Sequence, residues 1–513
     1  MNVEKETLAI ECRGITKTFG EVVANDHVDL QLRKGEILAL LGENGSGKTT
    51  LMNMLSGIYH PDEGSIHVNG QPVTINSPKE SMQLGIGMIH QHFKIVDVFT
   101  AAENIVMGTD KDKKLKKKQL YKKINDISAK FGLEIDPKAH AYNMSVSEKQ
   151  NVEIFKVLYR GAKILILDEP TAVLTPQETD KLFAILRNMK KDGCSIIIIT
   201  HKLNEVLAIS DRVTILRKGK SITTVETAET TAQELTELMV GKKVELSIDR
   251  PEPQPIKDLF EVHHLTVKGE EGYDVLKDVT FSINGGEILG VAGVAGSGQK
   301  ELCETIAGLQ KVEKGAILYK KENIVGKSPR EIIRMGISMS FIPEDRLGMG
   351  LVASMDIVDN MLLKSYNNTK SPFIDKKPSQ KLAKELVEKL EIVTPNINTP
   401  VSRLSGGNVQ KVLLGREIES NPELLITAYP VRGLDINSSY TIYDLLNEQK
   451  KKGVAVLYIG EDLDVLLELC DKIMVICHGE IIGTVNAKDV TKEQIGLMMT
   501  GEKLNLGGDA DEK

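Results

Sequence analysis

Residues 42–49 read Gly-Glu-Asn-Gly-Ser-Gly-Lys-Thr, directly behind the apolar residues 37–41 and ahead of a stretch of helical composition. Gly42, Gly45 and Gly47 have no side chains, so backbone N–H groups can converge on one anion, and a helix starting inside the loop adds positive potential. The spacing G-x-x-x-x-G-K-[ST] after a strand and before a helix predicts a phosphate-binding loop. Asn44, Gly45, Ser46 and Gly47 would line the phosphates, Lys48 would bridge β and γ, Thr49 would ligate Mg²⁺, and Thr50 would complete the nucleotide contacts. A glycine-rich turn beside a surface lysine is the plain alternative, and it leaves the acids downstream unexplained.

Those acids close the apolar run ILILDEP, where Asp168 and Glu169 stand side by side. Adjacent carboxylates at the end of a buried strand are costly without a purpose. Asp168 fits a Mg²⁺-associated acid, and Glu169 fits a general base that polarises the attacking water. Thr200-His201 ends the next apolar run, where an imidazole would contact the γ-phosphate. A lone histidine is usually structural, but this one follows Asp168 at the spacing of a switch residue. Gln91, in MIHQHF, is a candidate sensor of γ-phosphate and water and a further Mg²⁺ contact. Phe19 could stack on adenine or belong to the core.

The elements that must position these groups are legible as patterns. Residues 8–19 and 259–267 read as strands, and the nearly continuous apolar runs at 162–167, 195–200, 424–426 and 454–459 suit parallel strands buried on both faces. Strands alternating with helical stretches imply an α/β sheet covered by helices, with chemistry at the carboxyl ends of the strands. Residues 96–142 and 352–401 are rich in Lys, Glu, Leu and Ala and read as helical insertions.

The pattern occurs twice. GEILALLGENGSGKTT at residues 35–50 has a counterpart, GEILGVAGVAGSGQKE, at 286–301. In that copy Gln299 replaces Lys48, Lys300 replaces the Mg²⁺-binding hydroxyl, Ala428 replaces Asp168, Tyr429 replaces Glu169 and Glu461 replaces His201, while Glu344 stands near the position of Gln91. No acid or base for hydrolysis remains there. The second loop is either scaffold that has lost nucleotide binding or a site that binds without hydrolysis. Lys300 either contributes charge in place of Mg²⁺ or points away.

At 513 residues the chain exceeds one ordinary core, and the duplication predicts domains at 1–243 and 259–503, a linker at 244–258 within the proline-bearing segment GKKVELSIDRPEPQPIK, and a polar tail at 504–513. A net charge of −7 with interspersed signs gives no reason to expect nucleic acid as a partner. The five scattered cysteines lack C-x-x-C spacing and are expected to be reduced thiols in the cytosol. No run approaches the ~18 apolar residues of a membrane span, and no apolar leader is visible at the N-terminus. The basic stretch KDKKLKKKQLYKK at 111–123 is either a solvated helix face or a contact with anionic lipid headgroups.

Leu404-Ser-Gly-Gly-Asn408, upstream of the second acid-strand position, is similar to the LSGGQ signature of ABC proteins, and Met144-Ser-Val-Ser-Glu148 stands at the matching place in the first half. With these motifs the chain resembles, nearly end to end, a two-cassette ATP-binding subunit of an ABC importer of the carbohydrate and nucleoside branch. The resemblance implies two tandem P-loop NTPase domains, each α/β with a parallel-sheet core, an antiparallel β subdomain and a helical insertion. It implies ATP and Mg²⁺ as cofactors, hydrolysis of ATP, and a peripheral position on the cytoplasmic face of the bacterial cell membrane. It also implies as partners two integral membrane permease subunits and an extracytoplasmic solute-binding protein.

In that family cassettes pack head to tail, so each nucleotide lies between one loop and the other cassette's signature. Lys48, Asp168, Glu169 and His201 then share a site with Ser405, Gly406, Gly407 and Asn408. The degenerate residues of the second half fall together with MSVSE, where Val146 and Ser147 replace the glycines. HQHFKIVDVFTAAENI and LYRGA resemble the nucleoside-uptake members more than those for ribose or galactose, which stay as the alternative. A soluble tandem ABC ATPase acting on ribosomes or DNA is the rival of another class. Such proteins generally keep both sites hydrolytic, and the ribosome-acting ones carry a long charged linker.

Overall fold

The structure of the protein, a computed structural model, describes residues 7–20, 22–90, 93–108, 116–172, 174–243, 247–253, 256–269, 272–341, 350–366, 374–432 and 434–503. Gln91, Glu344, the tail at 504–513 and parts of the basic stretch and linker lie outside them. The chain divides into two units, Met1–Glu245 and Leu246–Lys513.

In the first unit the strands are β1 (Leu8–Phe19), β2 (Val22–Arg33), β3 (Ile37–Leu41), β4 (Glu63–Val68), β5 (Gln71–Val73), β6 (Ile86–Ile89), β7 (Ile164–Asp168), β8 (Ser195–Ile199), β9 (Arg212–Arg217) and β10 (Lys220–Glu226). Six of them form one sheet in the order β10-β9-β3-β8-β7-β6, parallel except for the β9–β10 pair. The other four form an antiparallel sheet, β2-β1-β4-β5. The run-on apolar sequence of the central strands is explained by the pleat. Leu165, Leu167, Ile196 and Ile198 enter one buried cluster with Phe155, whereas Ile164, Ile166, Ile197 and Ile199 enter another with Leu51 and the antiparallel sheet. Successive side chains point to opposite faces, and both faces are covered.

Phe155 lies on the helix Val146–Tyr159 and is fully buried. Phe155→Ala is expected to cost about 3–5 kcal/mol through lost transfer energy and cavity formation, read from the unfolding transition of the first unit in denaturant. A change of a few tenths of a kcal/mol would contradict this packing.

The second unit repeats the arrangement. Its strands are β11 (Ile256–Lys268), β12 (Asp274–Gly285), β13 (Ile288–Ala292), β14 (Val312–Tyr319), β15 (Glu322–Asn323), β16 (Ile337–Phe341), β17 (Leu424–Ala428), β18 (Ala455–Ile459), β19 (Lys472–Cys477) and β20 (Glu480–Asn486). The six-stranded sheet runs β16-β17-β18-β13-β19-β20, and the four-stranded sheet runs β12-β11-β14-β15. The helical insertions contain Ala101–Val106 and Lys117–Phe131 in the first unit and Ile357–Ser365 and Lys377–Lys389 in the second.

The segment expected to be a linker behaves differently from a free tether. Residues 247–253 lie along the second unit, where Arg250 donates to the carbonyls of Leu467 and Cys470 at 3.0 and 2.7 Å. Asn447 donates to the Asp249 carbonyl and Lys488 pairs with Glu252. Strand β11 begins at Ile256, opposite Gly285. Prolines 251 and 253 break regular structure, but they leave these carbonyls and side chains free to bond. Among the described residues no helix is long and apolar enough to cross a membrane.

Candidate functional site

Strands β3, β8 and β7 end level with one another: Leu40 pairs with Ile199, and Ile199 pairs with Asp168. The chain therefore releases the loop after β3, the carboxylates at the end of β7 and Thr200-His201 after β8 along one sheet edge. This is where an open α/β sheet presents its chemistry.

The loop is tightly closed. A Cβ built on Gly42 would lie 2.3 Å from the Leu216 carbonyl oxygen and 2.4 Å from Ser46 Oγ, so no larger residue fits. Gly47 has φ 96°, the left-handed region that glycine enters without strain, and leads into the helix Lys48–Leu55 with no side-chain cap on its first turn. Asn25 supports the turn by donating to the Gly47 carbonyl at 3.3 Å, and Gly219 N–H donates to that of Ser46 at 3.2 Å. Asn44, Gly45 and Thr49 are exposed, Thr50 is half-buried, and Ser46 is buried with its hydroxyl unpartnered.

Lys48 is only 8% exposed, and its ammonium donates to the carbonyls of Gly42 and Glu43 at 2.6 and 2.9 Å. Burial holds its pKa below the ordinary lysine value against the opposing charges of Glu169, Asp168 and Glu43. The lysine ammonium is thus held by two carbonyls of the loop itself.

Asp168 is pushed up to about 6 by burial, with the Glu169 charge adding and Lys48 opposing. Glu169 is also raised by burial, but the His201 hydrogen bond and the charges of His201, Lys48 and Lys202 outweigh that and leave it below the ordinary carboxylate range. His201 Nδ1 lies 2.9 Å from Glu169 Oε1. Glu169 has φ 48°, an uncommon conformation for a residue with a side chain, held by its N–H bond to the Ile199 carbonyl at 2.8 Å. The two adjacent carboxyls are displaced in opposite directions: burial disfavours the Asp168 anion, whereas His201 and the nearby lysines keep Glu169 ionised.

Phe19 is 44% exposed at the end of β1 and meets Tyr59 edge-on, with ring centroids 5.2 Å apart. It is therefore an exposed ring and not a core residue, with Lys17 Nζ over it at 5.6 Å from the centroid.

The matching edge of the second unit keeps the backbone and loses the chemistry. Gln299 is buried and its amide donates to the Val294 carbonyl at 3.2 Å, imitating one of the two contacts of Lys48. Tyr429 has φ 53° and donates its N–H to Ile459 O at 2.8 Å, as Glu169 does to Ile199. Burial and the Glu461 charge push its phenol up to about 12, so it stays protonated and is no base at neutral pH. Lys300 is exposed and directed toward Glu304, 3.7 Å away on the next helical turn.

The two signature segments also differ in capping. Ser145 forms a capping box with Glu148, the serine hydroxyl accepting from Glu148 N–H and the carboxylate accepting from Ser145 N–H. Ser405 makes no such cap on the helix Gly406–Ile418. Its hydroxyl instead accepts from the Asn408 amide at 2.8 Å, while Asn408 Oδ1 accepts from Val393 N–H. The Ser405 O–H proton is left to donate, at a helix start with no carboxylate on it.

Sequence reasoning passed over a group behind the edge. Glu205 Oε2 accepts from Thr171 Oγ1 at 2.5 Å and from Thr200 Oγ1 at 3.4 Å, and Glu205 Oε1 pairs with Lys202 Nζ at 3.1 Å. Its one signal in the sequence is polarity next to buried runs.

An ABC transporter family model matches residues 25–172 and again 276–430. The nucleoside import ATP-binding protein NupA of Lactococcus lactis is 45% identical over 97% of this chain and 99% of its own length. The guanosine import ATP-binding protein NupO of Bacillus subtilis is 45% identical over 98% and 99%. The ribose import ATP-binding protein RbsA 1 of Rubrobacter xylanophilus is 37% identical over 97% and 99%. With two family matches, and relatives aligned along nearly their whole length, the chain belongs to the ABC transporter family, as an ATP-binding and ATP-hydrolysing subunit with two cassettes in one polypeptide.

Proposed function

We propose that this chain energises the import of nucleosides. It would work from the cytoplasmic face of a bacterial membrane, through two permease subunits fed by an extracytoplasmic solute-binding protein. The observation that carries the solute class is the 45% full-length identity to proteins named for nucleoside and guanosine import, against 37% for one named for ribose import.

In this reading the loop of residues 42–49 cradles the phosphates, Phe19 stacks on the base, and Glu169 accepts the proton of the attacking water while His201 aims it. Gln91 would sense the γ-phosphate. Ser405, Gly406, Gly407 and Asn408 would present a helix start and a serine hydroxyl to a γ-phosphate.

The residues present suit Mg²⁺. Asp168 carries a carboxylate that burial makes unfavourable as a lone anion, and Thr49 offers a hydroxyl at the loop's exit. Among the described residues no group of three or more His, Cys, Asp or Glu could hold a metal, which suits an ion ligated mainly by phosphate oxygens and water. When bound, it would neutralise charge on the β and γ phosphates.

Cells lacking this protein are expected to lose uptake of labelled nucleosides and keep uptake of pentoses and hexoses, with wild-type protein restoring import and Glu169→Gln failing to. Loss confined to sugars would replace nucleosides with the ribose-type alternative.

A further inference from the structure

We propose that Glu205 and Thr171 form a clamp that positions Glu169 and His201 for ATP hydrolysis. Thr171 stands two residues beyond Glu169 and Thr200 one residue before His201, on two separate chain segments leaving β7 and β8. One carboxylate binds both: Glu205, from the first turn of the helix Leu203–Ile209, accepts from both hydroxyls. Lys202 closes the group, pairing with Glu205 and donating to the Thr171 carbonyl at 3.2 Å. Thr171 and Thr200 are 2% and 3% exposed, so water offers these hydroxyls little alternative and the bonds are costly to leave unmade.

The second unit supplies an internal comparison. At its matching positions stand Val431 for Thr171, Gly460 for Thr200, Asp462 for Lys202 and Val465 for Glu205. All four members of the clamp are gone, and Val431 and Val465 pack against the apolar core instead. The backbone is nevertheless kept. Tyr429 bonds Ile459 as Glu169 bonds Ile199, both at 2.8 Å, and the helix Leu463–Leu469 matches Leu203–Ile209 in length. The fold therefore does not need the clamp. The half that carries it is the half that carries the carboxylate and imidazole.

Glu169 and His201 touch through a 2.9 Å bond, and the Glu169 N–H bond to the Ile199 carbonyl ties the strand ends beneath them, so the clamp adds a side-chain tie between the two segments that carry them. Glu205 acts through them and reaches no substrate itself, so it is a positioning residue. The inference rests on the reading that Glu169 and His201 serve hydrolysis.

The test compares steady-state ATPase of the full chain carrying Thr171→Val with that of Thr171→Ser. Valine has nearly the shape of threonine, and the second unit already folds with it at this place. Thr171→Val is expected to lower kcat about tenfold or more with the KM for ATP unchanged, and Thr171→Ser to stay near wild type because it keeps the hydroxyl. Glu205→Val should match Thr171→Val, and the double variant should be no slower than either alone, since both break one clamp. Wild-type kcat in Thr171→Val would overturn the proposal. So would an equal fall in Thr171→Ser, or losses that multiply in the double variant. Undiminished turnover in Glu169→Gln would remove the hydrolytic reading beneath it, a result distinguishable from all of these.

Discussion

Glu169→Gln is expected to abolish steady ATP turnover, lowering kcat by about 100-fold or more, while ATP still binds. The amide keeps the size of the carboxylate and can still meet His201, so the loop, Lys48 and Asp168 stay as they are. What disappears is a group able to take a proton. Glu169 is available for that role because its neighbours keep it ionised, and so unprotonated, in spite of burial. Asp168 cannot substitute in the reading proposed above, because its carboxylate would be engaged by the cation. Tyr429 cannot either, since its phenol is pushed up to about 12. The measurement is phosphate release at saturating ATP alongside equilibrium binding of a labelled nucleotide. Unchanged phosphate release would sink the general-base assignment.

The second large effect is expected from a change in the other unit. Gly406→Val with Gly407→Ser installs the residues that the first unit carries as Val146 and Ser147, and should reduce turnover about 100-fold, the scale of losing anion-stabilising donors. The helix Val146–Tyr159 forms with those residues at its start. The built Cβ of Gly407 meets only the end of the Leu434 side chain, at 3.2 Å. The loss would come from a branched side chain that holds the helix start away from phosphate. The reverse exchange, Val146→Gly with Ser147→Gly, should leave turnover unaltered, since the loop it would complete has Gln299, Ala428 and Tyr429. Full activity in the Gly406/Gly407 variant would mean that this helix start does not meet the phosphates of ATP.

Much of the site was readable from residue type and order. The glycines of residues 42–47 are required by local geometry, which a short motif encodes completely, and the apolar runs ending at Asp168 and Thr200 say that both chains leave a buried strand there. Duplication helped, because each half is a commentary on the other. The second half names the positions where chemistry is dispensable for folding.

Other features depend on where distant segments meet. Phe19 ends a strand of alternating character, and only the neighbouring Tyr59 and the open surface decide that its ring is exposed. The direction of Lys300 follows from a helical turn that places Glu304 beneath it. The proline-bearing segment reads as a loose connection because its partners, Leu467, Cys470, Asn447 and Lys488, lie about 200 residues away in sequence, and no local pattern announces them.

Local periodicity, glycine geometry and the identity of ionisable groups announce the two α/β units, the glycine-rich loop and the unequal residues of the halves. Tertiary structure alone decided that Lys48 rests on the carbonyls of Gly42 and Glu43, that Asp168 and Glu169 are displaced in opposite directions, and that one carboxylate at Glu205 joins the segments carrying Glu169 and His201. Burial, charge proximity and hydrogen-bond reach are properties of space, and residues far apart in the chain acquire them only when the sheet brings their strand ends level.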